Sequence, residues 1–241
     1  MRRPSPTLTL AVAIAVAIAL LAAIVPASAP ALALSLSDLT NRDAAGGLRE
    51  ALNQGAAAAV KKLGRTDGYL GDPRVKIELP EKLQKIEGLL KMLGLGDQTE
   101  ELVTAMNRAA EAAAADAKPI LLDAVKKMTV TDAKGILSGG DDSVTEYFRR
   151  TTSATLTQRF APIVRKATAK VKLASKYDDV AAKAARLGLV GDEDANIESY
   201  VTRKALDGLY QVIGDEERAI RQNPLGAVGS LAKKVFGALG H

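Results

Sequence analysis

Ile197-Glu-Ser-Tyr-Val-Thr-Arg-Lys-Ala-Leu-Asp-Gly-Leu-Tyr-Gln-Val-Ile-Gly-Asp-Glu-Glu-Arg-Ala-Ile-Arg221 carries a helical pattern from which the architecture follows. Placed at 100° per residue, its apolar members Ile197, Tyr200, Val201, Ala205, Leu206, Leu209, Tyr210, Val212, Ile213 and Ile220 cover more than half the circumference. A surface helix needs a stripe only about 100° wide, so this one belongs at the centre of other helices. Its narrow remaining face carries Arg203, Lys204, Asp207, Gln211 and Arg218. That face reads either as a solvated strip, with Arg203 and Asp207 paired at i,i+4 for about 0.3 to 0.5 kcal/mol, or as the polar lining of a cleft.

Around this helix the chain is punctuated as a series of helices. Lys61-Lys-Leu-Gly64, Lys91-Met-Leu-Gly94, Arg186-Leu-Gly188 and Lys233-Lys-Val-Phe-Gly237 each place cations in a last turn and a glycine after it. The cations complement the helix dipole and the glycine can take the left-handed conformation that closes a helix. Asp97-Gln-Thr-Glu100 and Ser143-Val-Thr-Glu146 fit capping boxes, and Asn223-Pro224 fits an N-cap before proline at the first helical position. The expected helices are 38–63, 81–93, 98–117, 119–128, 131–138, 143–160, 162–173, 176–187, 196–221 and 224–237. Val75-Lys-Ile-Glu-Leu79 alternates with period two between Asp72-Pro73 and Pro80, so it reads as one short extended segment. It either pairs with a small partner near Gly68 to Leu70 or crosses the bundle. The fold class is all-α, a single compact multi-helix bundle with at most that one extended piece near residues 75–79.

Composition excludes much chemistry. The 241 residues contain no cysteine, no tryptophan and one histidine, His241, the last residue. Disulfides, thiolate nucleophiles and iron–sulfur ligation are gone, and histidine-based catalysis or metal binding lacks its residues. No cofactor is expected. Residues 1–33 have the form of a secretory signal: Arg2 and Arg3, an apolar run from Leu8 to Val25, then small residues through Ala33. Cleavage after Ala33, with Ala31 and Ala33 in the small pockets, leaves residues 34–241 as one helical domain, periplasmic or extracellular by the general secretory route; an uncleaved anchor is the alternative. Removal of Arg2 and Arg3 takes two from the formal charge of +5. So mild a surplus, spread along the chain, argues against nucleic acid as a partner.

Ser138-Gly-Gly-Asp-Asp142 resembles the Gly-Gly-acid-acid turn of nucleotide cyclases in letters only, since helical patterns flank it on both sides. Asp141 and Asp142 are weak candidates for a divalent cation, with help from Glu146. Asp192-Glu-Asp194-Ala-Asn196 opens like a calcium loop, but Ile197 and Arg203 stand where the glycine and the bidentate glutamate belong, so it reads as a helix cap. Asn107-Arg108 and Arg149-Arg150 set polar groups on Ala-rich or apolar helices, and the arginine pair beside Asp141 and Asp142 suits an anionic ligand. In residues 224–239, Leu225, Val228, Leu231, Val235, Phe236 and Leu239 share one arc opposite Lys233 and Lys234. This amphipathic segment suits either the last helix of the bundle or peripheral contact with a membrane.

Several stretches also carry a likeness: Asp67-Gly-Tyr-Leu70, Leu79-Pro-Glu-Lys-Leu83, Asn107-Arg-Ala-Ala-Glu111, Ala117-Lys-Pro-Ile120, Met128 to Arg150, Tyr200 to Tyr210, Glu216-Glu217 and Asn223-Pro224. In this order they resemble the exported bacterial helical family catalogued as domain of unknown function 4197, over essentially the whole chain after residue 33. The resemblance implies an exported, all-helical envelope protein and no particular activity. It directs attention to Asn107, Arg108, Asp132, Asp141, Asp142, Arg149, Arg150, Lys204, Asp207 and Glu217 as ligand-binding candidates. The function expected is non-catalytic binding in the periplasm or at the cell surface, of an envelope protein or a small ligand. The alternatives are an enzyme using carboxylates or a divalent cation at Asp141 and Asp142, and a peripheral membrane protein held by residues 224–239. Mass spectrometry of the exported protein should find a chain beginning at Leu34; a membrane-retained chain still carrying Met1 would overturn the cleavage reading.

Overall fold

The computed structural model describes residues 41–186 and 196–223. Among them are nine helices and no strand: α1 (Asn41–Leu63), α2 (Glu81–Lys85), α3 (Glu87–Met92), α4 (Gly96–Ala115), α5 (Lys118–Lys127), α6 (Val130–Ser138), α7 (Ser143–Thr168), α8 (Lys172–Arg186) and α9 (Ile197–Gln222). The chain is an all-α bundle. The expected signal, the helix at 224–237, and the glycine stops at Gly188 and Gly237 lie outside the described residues.

Helix α9 is the hub that its wide apolar arc demands. It packs against α7, α1, α4 and α8. Every apolar residue named for it is buried except Ile220, which is half-buried against the core. Asn196 caps it, its side chain accepting from the Ser199 amide at 2.8 Å, and the Asp178 carboxylate accepts from Ile197 N at 2.7 Å. The acidic run before α9 therefore ends in a cap, as read.

Two helix boundaries differ from expectation. Pro162 does not open a new helix; it lies inside α7. Phe148, Thr152, Leu156, Phe160, Val164 and Thr168, at successive steps of four, are all buried. That continuous seam holds the helix together across the hydrogen bond proline cannot make. Conversely, the single helix expected over 81–93 is two short ones, broken at Ile86 (φ −109°, ψ 7°).

The stops and starts divide in the same way. Gly94 takes the left-handed conformation (φ 73°), with Leu95 N donating to Leu90 O at 2.8 Å and Gly94 N to Lys91 O at 3.1 Å, a Schellman closure. Gly64 does not: the described glycines with positive φ comprise Gly94 alone. A Cβ on Gly64 would stand 3.1 Å from Ala115 Cα, so glycine serves there to let α1 approach the end of α4. Neither expected capping box forms, since α4 and α7 start without a side-chain cap from Leu95 or Asp142. The box that does form is Thr129 with Asp132, at α6.

Residues 76–80 are extended without being a strand. Val75, Ile77 and Leu79 point into the core and Lys76 and Glu78 outward, the period-two pattern read from the sequence. What replaces a neighbouring strand is one side chain. Asn107, fully buried on α4, accepts from Ile77 N through Oδ1 and donates from Nδ2 to Ile77 O, both at 2.8 Å. Replacing Asn107 with alanine leaves both backbone groups of Ile77 without partners. At about 1 to 3 kcal/mol for each unsatisfied group, Asn107→Ala should cost about 3 kcal/mol of unfolding free energy in denaturant titration; a loss below about 1 kcal/mol would show that the pairing does not hold the segment.

Candidate functional site

The candidate residues fall into four separate places. Asn107 and Arg108 lie on α4 beside the loop from Gly64 to Pro80. Arg108 donates to Asp67 Oδ1 (2.8 Å) and Glu111 Oε2 (2.7 Å), and the buried Glu111 accepts from Tyr69 N and Leu70 N, each at 3.2 Å. Asp67 holds φ at 62°, a conformation aspartate tolerates. Tyr69 is wholly buried: its hydroxyl donates to Ala205 O at 2.6 Å, and its ring fills the space where a Cβ on Gly208 would come within 2.7 Å. Burial pushes the Tyr69 phenol far above its ordinary range. It serves as a neutral peg rather than an acid or base. Neither Glu111 nor Tyr69 was among the candidates, although a lone carboxylate between Ala110 and Ala112 is an audible signal of a buried partner.

A second group joins α6 to α7. Asp132 accepts from Thr129 in the capping box and from Arg150 Nη2 at 3.0 Å. Those hydrogen bonds, first from Thr129 and then from Arg150, hold its carboxyl below the usual 3.8. Arg150 also lies over the Tyr147 ring, 5.7 Å from its centroid. Both residues line a shallow depression of about 480 Å³ with Asp123, Lys127, Thr151 and Thr155.

The third group lies on the exposed side of α7 and α9. Arg149 meets Asp207 at 3.4 Å and stacks 4.7 Å above Tyr210, while Arg203 reaches the same carboxylate at 3.9 Å. Lys204 lies over Tyr200 at 5.9 Å. These long, solvated pairs contribute little individually. Tyr210 shares a 3.0 Å hydrogen bond with Thr152, and burial raises its phenol.

The fourth group is at the α6–α7 turn. Asp141 and Asp142 are both exposed, and Asp142 pairs with Arg218 at 3.2 Å. Arg218 continues to Asp215 (2.6 Å), Asp215 to Arg74 (2.8 Å) and Arg74 to Asp72 (2.6 Å), an alternating surface chain. Among the described residues no group of three His, Cys, Asp or Glu side chains converges as metal ligands would. Glu217, with its side chain 1% exposed, does what the Ser143–Glu146 box was expected to do. It accepts from Val144 N (3.1 Å) and Thr145 N (3.2 Å) and is neutralised by Arg221 at 3.0 Å, so α9 caps α7 in trans. A carboxylate from 73 positions away cannot be recognised as a cap by local spacing.

The open surface lies elsewhere. Leu83 and Leu90 anchor α2 and α3, and α3 packs on α4. Outward from them Ile86, Leu89, Met92 and Leu93 are 43%, 54%, 85% and 64% exposed. Beside them runs a groove of about 690 Å³ whose lining includes Leu79, Val103, Lys76, Glu78, Glu87 and Glu100. No helix among the described residues is long and apolar enough to cross a membrane.

A family model described as protein of unknown function (DUF4197) matches residues 38–237. The chain belongs to that family. No curated protein and no solved structure matches it. All ten candidate residues of this family member lie within the matched span, and the described geometry distributes them over four places rather than one pocket.

Removal of the Glu217 carboxylate takes the acceptor from the buried Val144 amide and the half-buried Thr145 amide and the counter-charge from Arg221, so Glu217→Ala should destabilise by about 3 to 5 kcal/mol and Glu217→Gln by clearly less. Equal losses for both, measured by chemical denaturation, would show that the carboxylate charge and the cap are not what Glu217 supplies.

Proposed function

We propose that this family member is an exported, non-catalytic interaction protein of the bacterial envelope, and that it meets its partner through the apolar face of α2 and α3. The observation that carries the reading is the set Ile86, Leu89, Met92 and Leu93, four large apolar side chains on α3 and at its two ends, turned to solvent. Contiguous exposed apolar surface beside a groove is the signature of an interaction site, whereas scattered single residues are not. Several buried or capped polar residues are already employed within the fold. Asn107, Glu111 and Glu217 are committed to backbone groups, and Asp132 to a capping box.

Export is supported by the signal-like residues 1–33. Replacing Leu89 and Met92 with aspartate leaves the core untouched, so Tm should stay within about 3 °C, as surface substitutions usually allow. Cross-linking of the exported chain to its envelope partner, from a photoreactive residue at position 93, should fall at least tenfold. Undiminished cross-linking in the double variant would overturn the assignment of the surface.

A further inference from the structure

The mild surplus of charge is not spread evenly. Between Glu146 and Asp178 the chain carries eight cations and no acid, and the fold divides them into two kinds. Arg149, Arg150, Arg159 and Arg165 are each met by a carboxylate from another part of the chain, Asp207, Asp132, Asp116 and Glu198 in turn. Lys166, Lys170, Lys172 and Lys176 are exposed, and none of them forms an ion pair among the described residues. We propose that these four lysines, at the corner where α7 turns into α8, hold this chain on an anionic phospholipid surface by charge, without insertion. The proposal is independent of the apolar surface around α3.

The corner keeps its lysines outward and close together. Val164, Thr168, Val171, Leu173, Ala174 and Tyr177 are buried on its inner side. Ala169 N donates to Arg165 O (2.9 Å), Val171 N to Thr168 O (3.0 Å) and Ala174 N to Val171 O (3.0 Å), so the chain passes from one helix to the next in a tight turn. Lys172 and Lys176 are one turn apart on α8, about 6 Å at that spacing. Lys170 is two residues before Lys172, at most about 7 Å of chain, and Lys166 lies in the last turn of α7. Of the acids that follow, Asp178 accepts from Ile197 N, Glu198 is held by Arg165, and Asp179 is exposed just beyond Lys176. Like charges gathered this closely repel one another, and a surface dense in phosphate relieves that repulsion.

The make-up of the corner selects the partner. The aromatic residues between 147 and 177, namely Tyr147, Phe148, Phe160 and Tyr177, are buried, so no ring offers the stacking that single-stranded nucleic acid uses. No large apolar residue between 147 and 177 is exposed, so the apolar centre of a protein interface is missing. The arginines, whose planar forks suit fixed paired geometry, are occupied; the cations left over are lysines, flexible point charges. A fluid bilayer offers anionic headgroups at high density and in no fixed geometry, and clusters of about four to eight basic residues bind it.

The test is sedimentation of the full exported chain with vesicles of equimolar phosphatidylglycerol and phosphatidylcholine, and with vesicles of phosphatidylcholine alone. Each lysine close to an anionic surface adds about fivefold to partitioning. The combined variant Lys166→Gln, Lys170→Gln, Lys172→Gln and Lys176→Gln should therefore bind the mixed vesicles at least about tenfold more weakly, and the same four positions changed to arginine should keep the binding. A second variant, Lys82→Gln, Lys118→Gln, Lys126→Gln and Lys134→Gln, removes the same net charge from exposed lysines on other helices. Charges more than a Debye length from the bilayer are largely screened, so this variant should stay within about threefold of the parent chain. Circular dichroism and Tm establish that each variant is folded. Binding should vanish without phosphatidylglycerol, and at 1 M salt, where the Debye length is about 3 Å.

No binding of the parent chain to the mixed vesicles, equal binding to phosphatidylcholine alone, or equal losses in the corner variant and the scattered variant would each overturn the proposal. So would undiminished binding after the four corner substitutions, which would hand the membrane contact to residues 224–239. Tighter binding to duplex DNA than to the vesicles, or release from the vesicles by inorganic phosphate beyond that by chloride at matched ionic strength, would overturn it as well.

Discussion

The Asn107 amide, paired in both directions with the backbone of Ile77, is the constraint on which the arrangement of this bundle turns. An extended segment inside a helical protein carries backbone donors and acceptors that no neighbouring helix can satisfy, and burying them unpaired is costly. Asn107 supplies one acceptor and one donor at strand-like spacing from a helix face, so a single side chain stands in for a missing strand. With Ile77 fixed, Val75 and Leu79 are set into the core and Lys76 and Glu78 are held outward, where they form one wall of the groove. One turn further along α4, Glu111 holds the amides of Tyr69 and Leu70, and Tyr69 in turn plugs the space beside Gly208. One face of α4 therefore organises the whole non-helical crossing from Gly64 to Pro80.

The same device recurs at the other end of α9. Glu217 satisfies the first amides of α7 and is itself held by Arg221, which also donates to Ser143 Oγ at 2.8 Å. Both sites use a buried polar side chain to complete a backbone that its own element leaves open. Buried polar groups of this kind are costly when half-satisfied and specifying when fully satisfied. They account for polar residues such as Asn107, Glu111 and Glu217 lying inside a protein rich in alanine. The large apolar side chains left exposed among the described residues are Ile86, Leu89, Met92 and Leu93, around α3, and Val130, at the start of α6.

Much of the fold was legible because helical periodicity is a local property. The arc on α9, the Schellman closure at Gly94 and the cap at Asn196 each depend on residues within a few positions of one another, and each took its expected form. The errors arose where a distant residue outcompeted a local one. Pro162 looked like a helix start, yet the seam from Phe148 to Thr168 packs so continuously that the helix runs through it. Ser143 to Glu146 looked like a capping box, yet the carboxylate that caps α7 comes from α9. The spacing of the candidate residues along the chain says nothing about whether they converge.

Local pattern alone is enough to make this an all-helical protein built around Ile197–Arg221, because a 3.6-residue apolar repeat wider than one stripe belongs among other helices. Composition fixes the chemistry that is missing too, since cysteine is absent and histidine occurs once. Packing settles the rest: which polar groups are consumed as caps and clamps, which cations and carboxylates meet, and which apolar residues stay uncovered. Those outcomes depend on contacts between residues that are tens of positions apart, 30 for Asn107 with Ile77 and 73 for Glu217 with Val144. At such separations the packing of whole helices, and no local pattern, sets the distances.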